Sequence, residues 1–158
     1  MSAIVLLSNI LVQFPINAWL TWGAFSYPIA YFVTDVCNRT SGPAVARRVA
    51  WVGFAVGLIL SIVFAPLRVA LASGTAFIVS QLLDVAVFNR LRQQSWWKAP
   101  LLGSAAASLV DTSLFFGVAF IGTPVPWLPL AAGDLAVKLF MALALLPPYR
   151  ALVNRLTA

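Results

Sequence analysis

The sequence has no histidine, no glutamate and a single cysteine, Cys37. Without histidine it lacks the parts for Ser-His or Cys-His catalysis and for Cys/His metal cages, and one thiol cannot close an intramolecular disulfide. Charge is scarce as well: 9% of residues are charged and only four are acidic, against 62% hydrophobic. With a mean hydropathy of +0.97, this composition belongs to an integral membrane protein, and 158 residues read as one compact transmembrane domain over residues 1–158. No cofactor or metal is expected. The net charge of +6 is spread between apolar runs, not gathered into an aromatic-interleaved patch, so it points to topology and a lipid bilayer and not to direct contact with nucleic acid.

What is present is a series of apolar runs, at residues 1–12, 24–37, 49–65, 68–88, 100–122 and 127–146. They predict an all-α membrane protein, a compact bundle of six transmembrane helices. Loops are expected at 38–48 and 89–99, turns at Pro66 and at 123–126, and Pro147-Pro148 closes the last span before a basic tail. The first run would cover about 18 Å of a core roughly 30 Å thick. It either continues, kinked at Pro15, towards Trp19, or belongs to a chain that starts further upstream; lying at the interface, it would leave five spans. No basic start marks a cleavable leader. Arg39, Arg47, Arg48, Arg90, Arg92, Lys98, Arg150 and Arg155 fall on one side and Arg68 on the other. The positive-inside rule makes the first side cytoplasmic, with both termini there. Trp96, Trp97 and Trp127 read as interfacial anchors.

All four carboxylates, Asp35, Asp84, Asp111 and Asp134, lie in or at the end of a predicted span. Asp35 with Arg39 and Asp134 with Lys138 are spaced i, i+4, as local ion pairs are. Asp111 sits near the middle of its run, on a face with Ser104, Ser108 and Phe115, and Lys138 is the basic residue at similar depth. The two either bridge helices or face one cavity. Along 70–88 the helical spacing puts Ser73, Phe77, Gln81, Asp84 and Phe88 on one face, which should turn from lipid because an intramembrane acid costs about 2.5 kcal/mol or more. Tyr27, Tyr31 and Asp35 repeat this spacing in the second run. The small residues 103–108 mark a close helix contact, within a protomer or across a homodimer.

The order of these motifs is itself informative. Thr21-Trp22-Gly23-Ala24-Phe25-Ser26-Tyr27-Pro28, Thr34-Asp35 with Arg39, Ala46-Arg47-Arg48, Arg68-Val69-Ala70, Gln81-Leu82-Leu83-Asp84, Val87-Phe88-Asn89-Arg90-Leu91-Arg92, Trp96-Trp97, Asp111-Thr112 and Asp134 with Lys138 follow one another. The chain thereby resembles the queuosine precursor transporter family of the vitamin uptake transporter group over nearly its whole length. It departs in a shorter first helix and a short Ala65-Pro66-Leu67 connection. The resemblance implies uptake of 7-cyano-7-deazaguanine, or of 7-aminomethyl-7-deazaguanine, across the bacterial inner membrane. A guanine-like edge offers two adjacent N–H donors to one carboxylate, its carbonyl takes a donor, and its ring stacks on aromatics. On that basis Asp111 or Asp84 is the carboxylate clamp, and Gln81, Lys138 and Asn9 are the complementary polar set. Phe77, Phe115, Trp22, Phe25 and Tyr31 supply the walls, and Arg68 is a gate or ion-pair partner at the outer mouth.

Two other classes fit parts of the sequence. Six short spans also suit the substrate-capturing subunit of an energy-coupling-factor transporter, whose ATPase is a separate chain; this chain has no G-x-x-x-x-G-K-[ST] loop. An intramembrane aspartyl enzyme would use two of the aspartates as an acid/base pair, but only Gly133-Asp134 hints at it. The balance favours a transporter, not an enzyme.

Overall fold

The computed structural model describes residues 1–157, and among them it is helical with no named strand. The helices are α1 (Ser2–Leu11), α2 (Gly23–Ser26), α3 (Pro28–Ser41), α4 (Pro43–Phe64), α5 (Leu67–Leu91), α6 (Lys98–Phe120), α7 (Trp127–Ala144) and α8 (Leu146–Thr157). Four of them, α4 to α7, are long and apolar enough to cross a bilayer, so this is a multi-pass membrane protein. Helices α2 and α3 follow almost without a break, Tyr27 keeping helical angles before Pro28. Together they extend about 28 Å.

Proline and glycine set the breaks. Ala65 is extended, as the residue before Pro66 tends to be, and this ends α4. The loop expected at 38–48 is far shorter: Gly42 alone turns the chain, at φ +88°, and Pro43 opens α4. Glycine takes that backbone angle without strain and proline suits a first helical position, so Arg47 and Arg48 ride on a helix. Pro147 and Pro148 likewise do not end the helical structure. They occupy the first turn of α8, where a missing N–H costs little. The chain after Leu11 does not carry the helix on through Pro15. It doubles back in a bridge between Pro15 and Thr21, with Ile16 N–H donating to the Leu20 carbonyl at 2.8 Å.

Packing follows the polar faces read from the sequence. Ser73, Phe77, Gln81, Asp84 and Phe88 are all buried, which makes α5 the most enclosed of the four long helices. Ser104, Ser108, Asp111 and Phe115 of α6 are buried too. Gly103 lets α6 approach α5 so closely that a Cβ there would stand 2.6 Å from Asp84 Oδ1. Helix α1 runs parallel to α4, with Met1 against Gly53, Val5 against Gly57, and Asn9 donating to Ser61 at 2.6 Å. The described α1 therefore covers the half of the bundle nearer Phe64. At the opposite end, Phe88, Val36, Ala99 and Tyr149 form an apolar cluster that seats α8.

Candidate functional site

The centre of the bundle is polar because α5, α6 and α7 each bring a charged or hydrogen-bonding residue inward. Lys138 lies one turn from Asp134 on α7, and its Nζ meets Asp134 Oδ2 at 2.5 Å and Asp111 Oδ2 of α6 at 2.7 Å. Both bridges foreseen for Lys138 therefore form at once. Its third donor goes to Thr112 Oγ1 at 3.2 Å, and Thr112 donates to Asp134 Oδ2 at 2.7 Å. Ser80 of α5 donates to Asp111 Oδ1 at 3.3 Å. The ammonium stands 5.0 Å from the Tyr27 ring centroid, a cation–π distance. With two carboxylates to one ammonium, the cluster carries one more acid than base.

Two small cavities flank this cluster. One is bordered by Asn9, Tyr27, Asp111, Phe115, Asp134 and Lys138, and the other by Tyr31, Asp35, Ser104, Lys138 and Tyr149. Each holds about 20 Å³, enough for roughly one water and far below the 300 Å³ or so of a ligand pocket. Larger spaces lie beyond them. A vestibule of about 330 Å³ between the 12–22 turn and the Pro66 and Val125 loops shares Val12 with the first cavity. A second, of about 190 Å³, is lined by Arg39, Trp96 and Arg150 and shares Tyr149 with the other cavity. Lys138 borders both inner cavities. Polar and aromatic residues thus mark a broken line of spaces from one end of the bundle to the other.

The remaining candidates divide sharply. Asn9, Phe115 and Tyr31 border the cavities, whereas Phe77 is sealed in the core with its ring edge-on to Tyr27 at 6.1 Å. Gln81 is buried beside them, its Oε1 accepting from Thr34 at 2.6 Å and its Nε2 without a partner among the described residues. Asp84 borders neither inner cavity. Trp22 and Phe25 are not brought to the centre: they are 54% and 41% exposed, because Gly23, Ala24 and Ser26 take the inward side of the short α2.

Two proposed ion pairs are corrected. Among the described residues Arg68 pairs with no carboxylate; it donates to the Val118 and Ile121 carbonyls at 2.9 and 2.5 Å, satisfying the open C-terminal end of α6. Arg39 does not pair with Asp35. It donates to the Arg92 carbonyl at 2.8 Å while Arg92 returns a bond to the Arg39 carbonyl at 2.7 Å. Asp35 turns inward to Ser104, which donates at 3.2 Å. Tyr27, Thr112 and Tyr149 complete the site without having been named as cargo contacts; the shared helical face of Tyr27, Tyr31 and Asp35 and the Asp111-Thr112 pair were the signals for the first two.

Comparison with known proteins gives the family. The family profile described as "Putative vitamin uptake transporter" matches residues 21–67 and 60–152. The Queuosine precursor transporter of Escherichia coli (strain K12) is 34% identical over 94% of this chain and 81% of its own length. The "Probable queuosine precursor transporter" of Haemophilus influenzae is 33% identical over 96% and 82%, and that of Bacillus subtilis (strain 168) 34% over 80% and 69%. No solved structure gives a significant match. Matched along most of its length by that profile and by these relatives, the chain belongs to the vitamin uptake transporter family, alongside the queuosine precursor transporters.

Proposed function

We propose that the chain takes up a 7-deazaguanine precursor of queuosine, 7-cyano-7-deazaguanine or its 7-aminomethyl analogue, across the bacterial inner membrane. The observation that carries this reading is the excess carboxylate around Lys138, at the junction of two inner cavities. Asp111 accepts the two adjacent N–H donors of the cargo, and Lys138 and Asn9 offer donors to its carbonyl. Phe115, Tyr27 and Tyr31 provide ring faces. The cavities are too small for a bicyclic ring, so the described arrangement is a closed one and the helices must part to admit cargo.

Topology completes the proposal. The chain crosses six times with the basic end in the cytoplasm, both ends of the chain directed there, and the Val12 vestibule facing outward. The test is exchange of labelled 7-cyano-7-deazaguanine in proteoliposomes that contain this protein and no ATPase. Saturable exchange, lost in Asp111→Asn, is the expected result. Binding with exchange only when an ATPase partner is added would instead make the chain a capturing subunit.

A further inference from the structure

Asp35 and Asp84 take part in no ion pair among the described residues. They are 3% and 0% exposed, and they meet neighbouring residues of α6, Asp84 Oδ1 lying against Gly103 and Asp35 Oδ2 against Ser104. Ser104 donates to Asp35 Oδ2 at 3.2 Å, while Asp35 Oδ1 and both oxygens of Asp84 have no further protein donor. The charged and titratable groups around the pair come from four helices: Tyr31 and Arg39 of α3, Arg92 at the end of α5, Tyr149 of α8, and Lys138 of α7 across the shared cavity. None neutralises it. Arg39 and Arg92 bind each other's carbonyls, and Lys138 is held by Asp111 and Asp134.

Two buried carboxylates seated on adjacent residues of one helix with no cation between them repel in a low-dielectric core, and a proton on one of them relieves that repulsion. A separate observation points the same way. The Tyr149 hydroxyl is buried without a hydrogen-bond partner among the described residues, and its residue borders both the Asp35 cavity and the vestibule at the basic end. It supplies a polar step from the pair to that vestibule.

We propose that Asp35 and Asp84 form a proton-binding site that couples inward movement of cargo to inward movement of a proton. The proposal rests on the uptake reading above. Lys138 carries the coupling: when the proton leaves towards the basic end, Asp35 becomes an anion in the cavity that Lys138 borders and competes with Asp111 and Asp134 for its ammonium. The carboxylates that hold the cargo then change their contacts, and by linkage cargo changes the hold on the proton.

The test uses proteoliposomes of the purified protein and labelled 7-cyano-7-deazaguanine, with exchange measured at equal pH and accumulation under an inside-alkaline gradient of about one pH unit. One proton moved with a neutral cargo allows up to about tenfold accumulation, abolished by a protonophore. Asp84→Asn, at a residue outside both cavities and of unchanged shape, keeps exchange and loses accumulation; Asp35→Asn loses accumulation too. Wild-type protein that exchanges cargo but ignores the pH gradient, or answers only to sodium, overturns the proton site and leaves uptake standing, whatever the variants do. Accumulation retained by a folded Asp84→Asn protein overturns it as well. No exchange by wild-type protein overturns the uptake reading, and the coupling falls with it.

Discussion

Lys138 has two carboxylate partners, and that number decides what substitution does at the residue scale. Asp111→Asn leaves the Lys138–Asp134 pair intact, so the fold should survive while the cargo loses an acceptor and meets a donor. Cargo binding to the folded variant is expected to fall by about 1.5–3 kcal/mol, roughly 10- to 150-fold. Lys138→Met abandons two buried carboxylates and should cost about 3–5 kcal/mol of stability. Adding Asp111→Asn to it should recover part of that loss but none of the binding. Thermal unfolding in detergent, read beside cargo binding, checks the order; a Lys138→Met protein as stable as wild type would sink the charge cluster. Much of this centre was legible, because intramembrane acids have few uses and Asp134 and Lys138 sit one turn apart. The Asp35–Asp84 neighbourhood was not, since it depends on how α3, α5 and α6 rotate against one another. Arg39 misled for a related reason: sequence spacing offered it Asp35, but the carbonyl of Arg92, a residue far along the chain, lay nearer.

At the scale of elements, the apolar runs foretold the long helices and proline foretold where α4 ends and α7 begins, since both signals act within a few residues. The α1–α4 contact was less visible. Gly53 and Gly57 are ordinary in a membrane helix until Met1 and Val5 are seen against them. A Cβ on Gly57 would stand 3.0 Å from Val5 Cβ, so Gly57→Leu must push α1 away and strain the Asn9–Ser61 bond. Overpacking of this kind costs about 1–3 kcal/mol. Gly117→Leu is the control: the nearest atom to a Cβ there is Ile121 Cδ1 at 3.8 Å. Lower thermal stability for Gly57→Leu and little change for Gly117→Leu are expected; equal loss in both would show that glycine itself, not the α1 contact, matters. Helix α8 escaped the sequence reading because two prolines look like an ending when their place in a first turn is not known.

For the whole molecule, the basic residues and the line of cavities assign the same axis. In a Cys37→Ser background, Ser95→Cys should react with an impermeant thiol reagent only from the cytoplasm and Thr123→Cys only from outside; reversed labelling would overturn the proposed topology. Along that axis Tyr149 has a position that can be tested separately. It separates the Asp35 cavity from the 190 Å³ vestibule at the basic end and, packed with Phe88, helps seat α8. Removing its ring should join the two spaces, whereas removing only the hydroxyl should leave them divided. Ser104 borders the inner of the two and provides the reporter. With Ser104→Cys in the same background, a small impermeant reagent added on the cytoplasmic side should react slowly when residue 149 is Tyr or Phe and much faster in Tyr149→Ala. Reaction from the outer side should change little, since Val12 and the Lys138 cluster still intervene. If Tyr149→Ala left the cytoplasmic rate unchanged in a folded protein, the two cavities would not be neighbours on a path, and Tyr149 would serve only to hold α8 against the bundle.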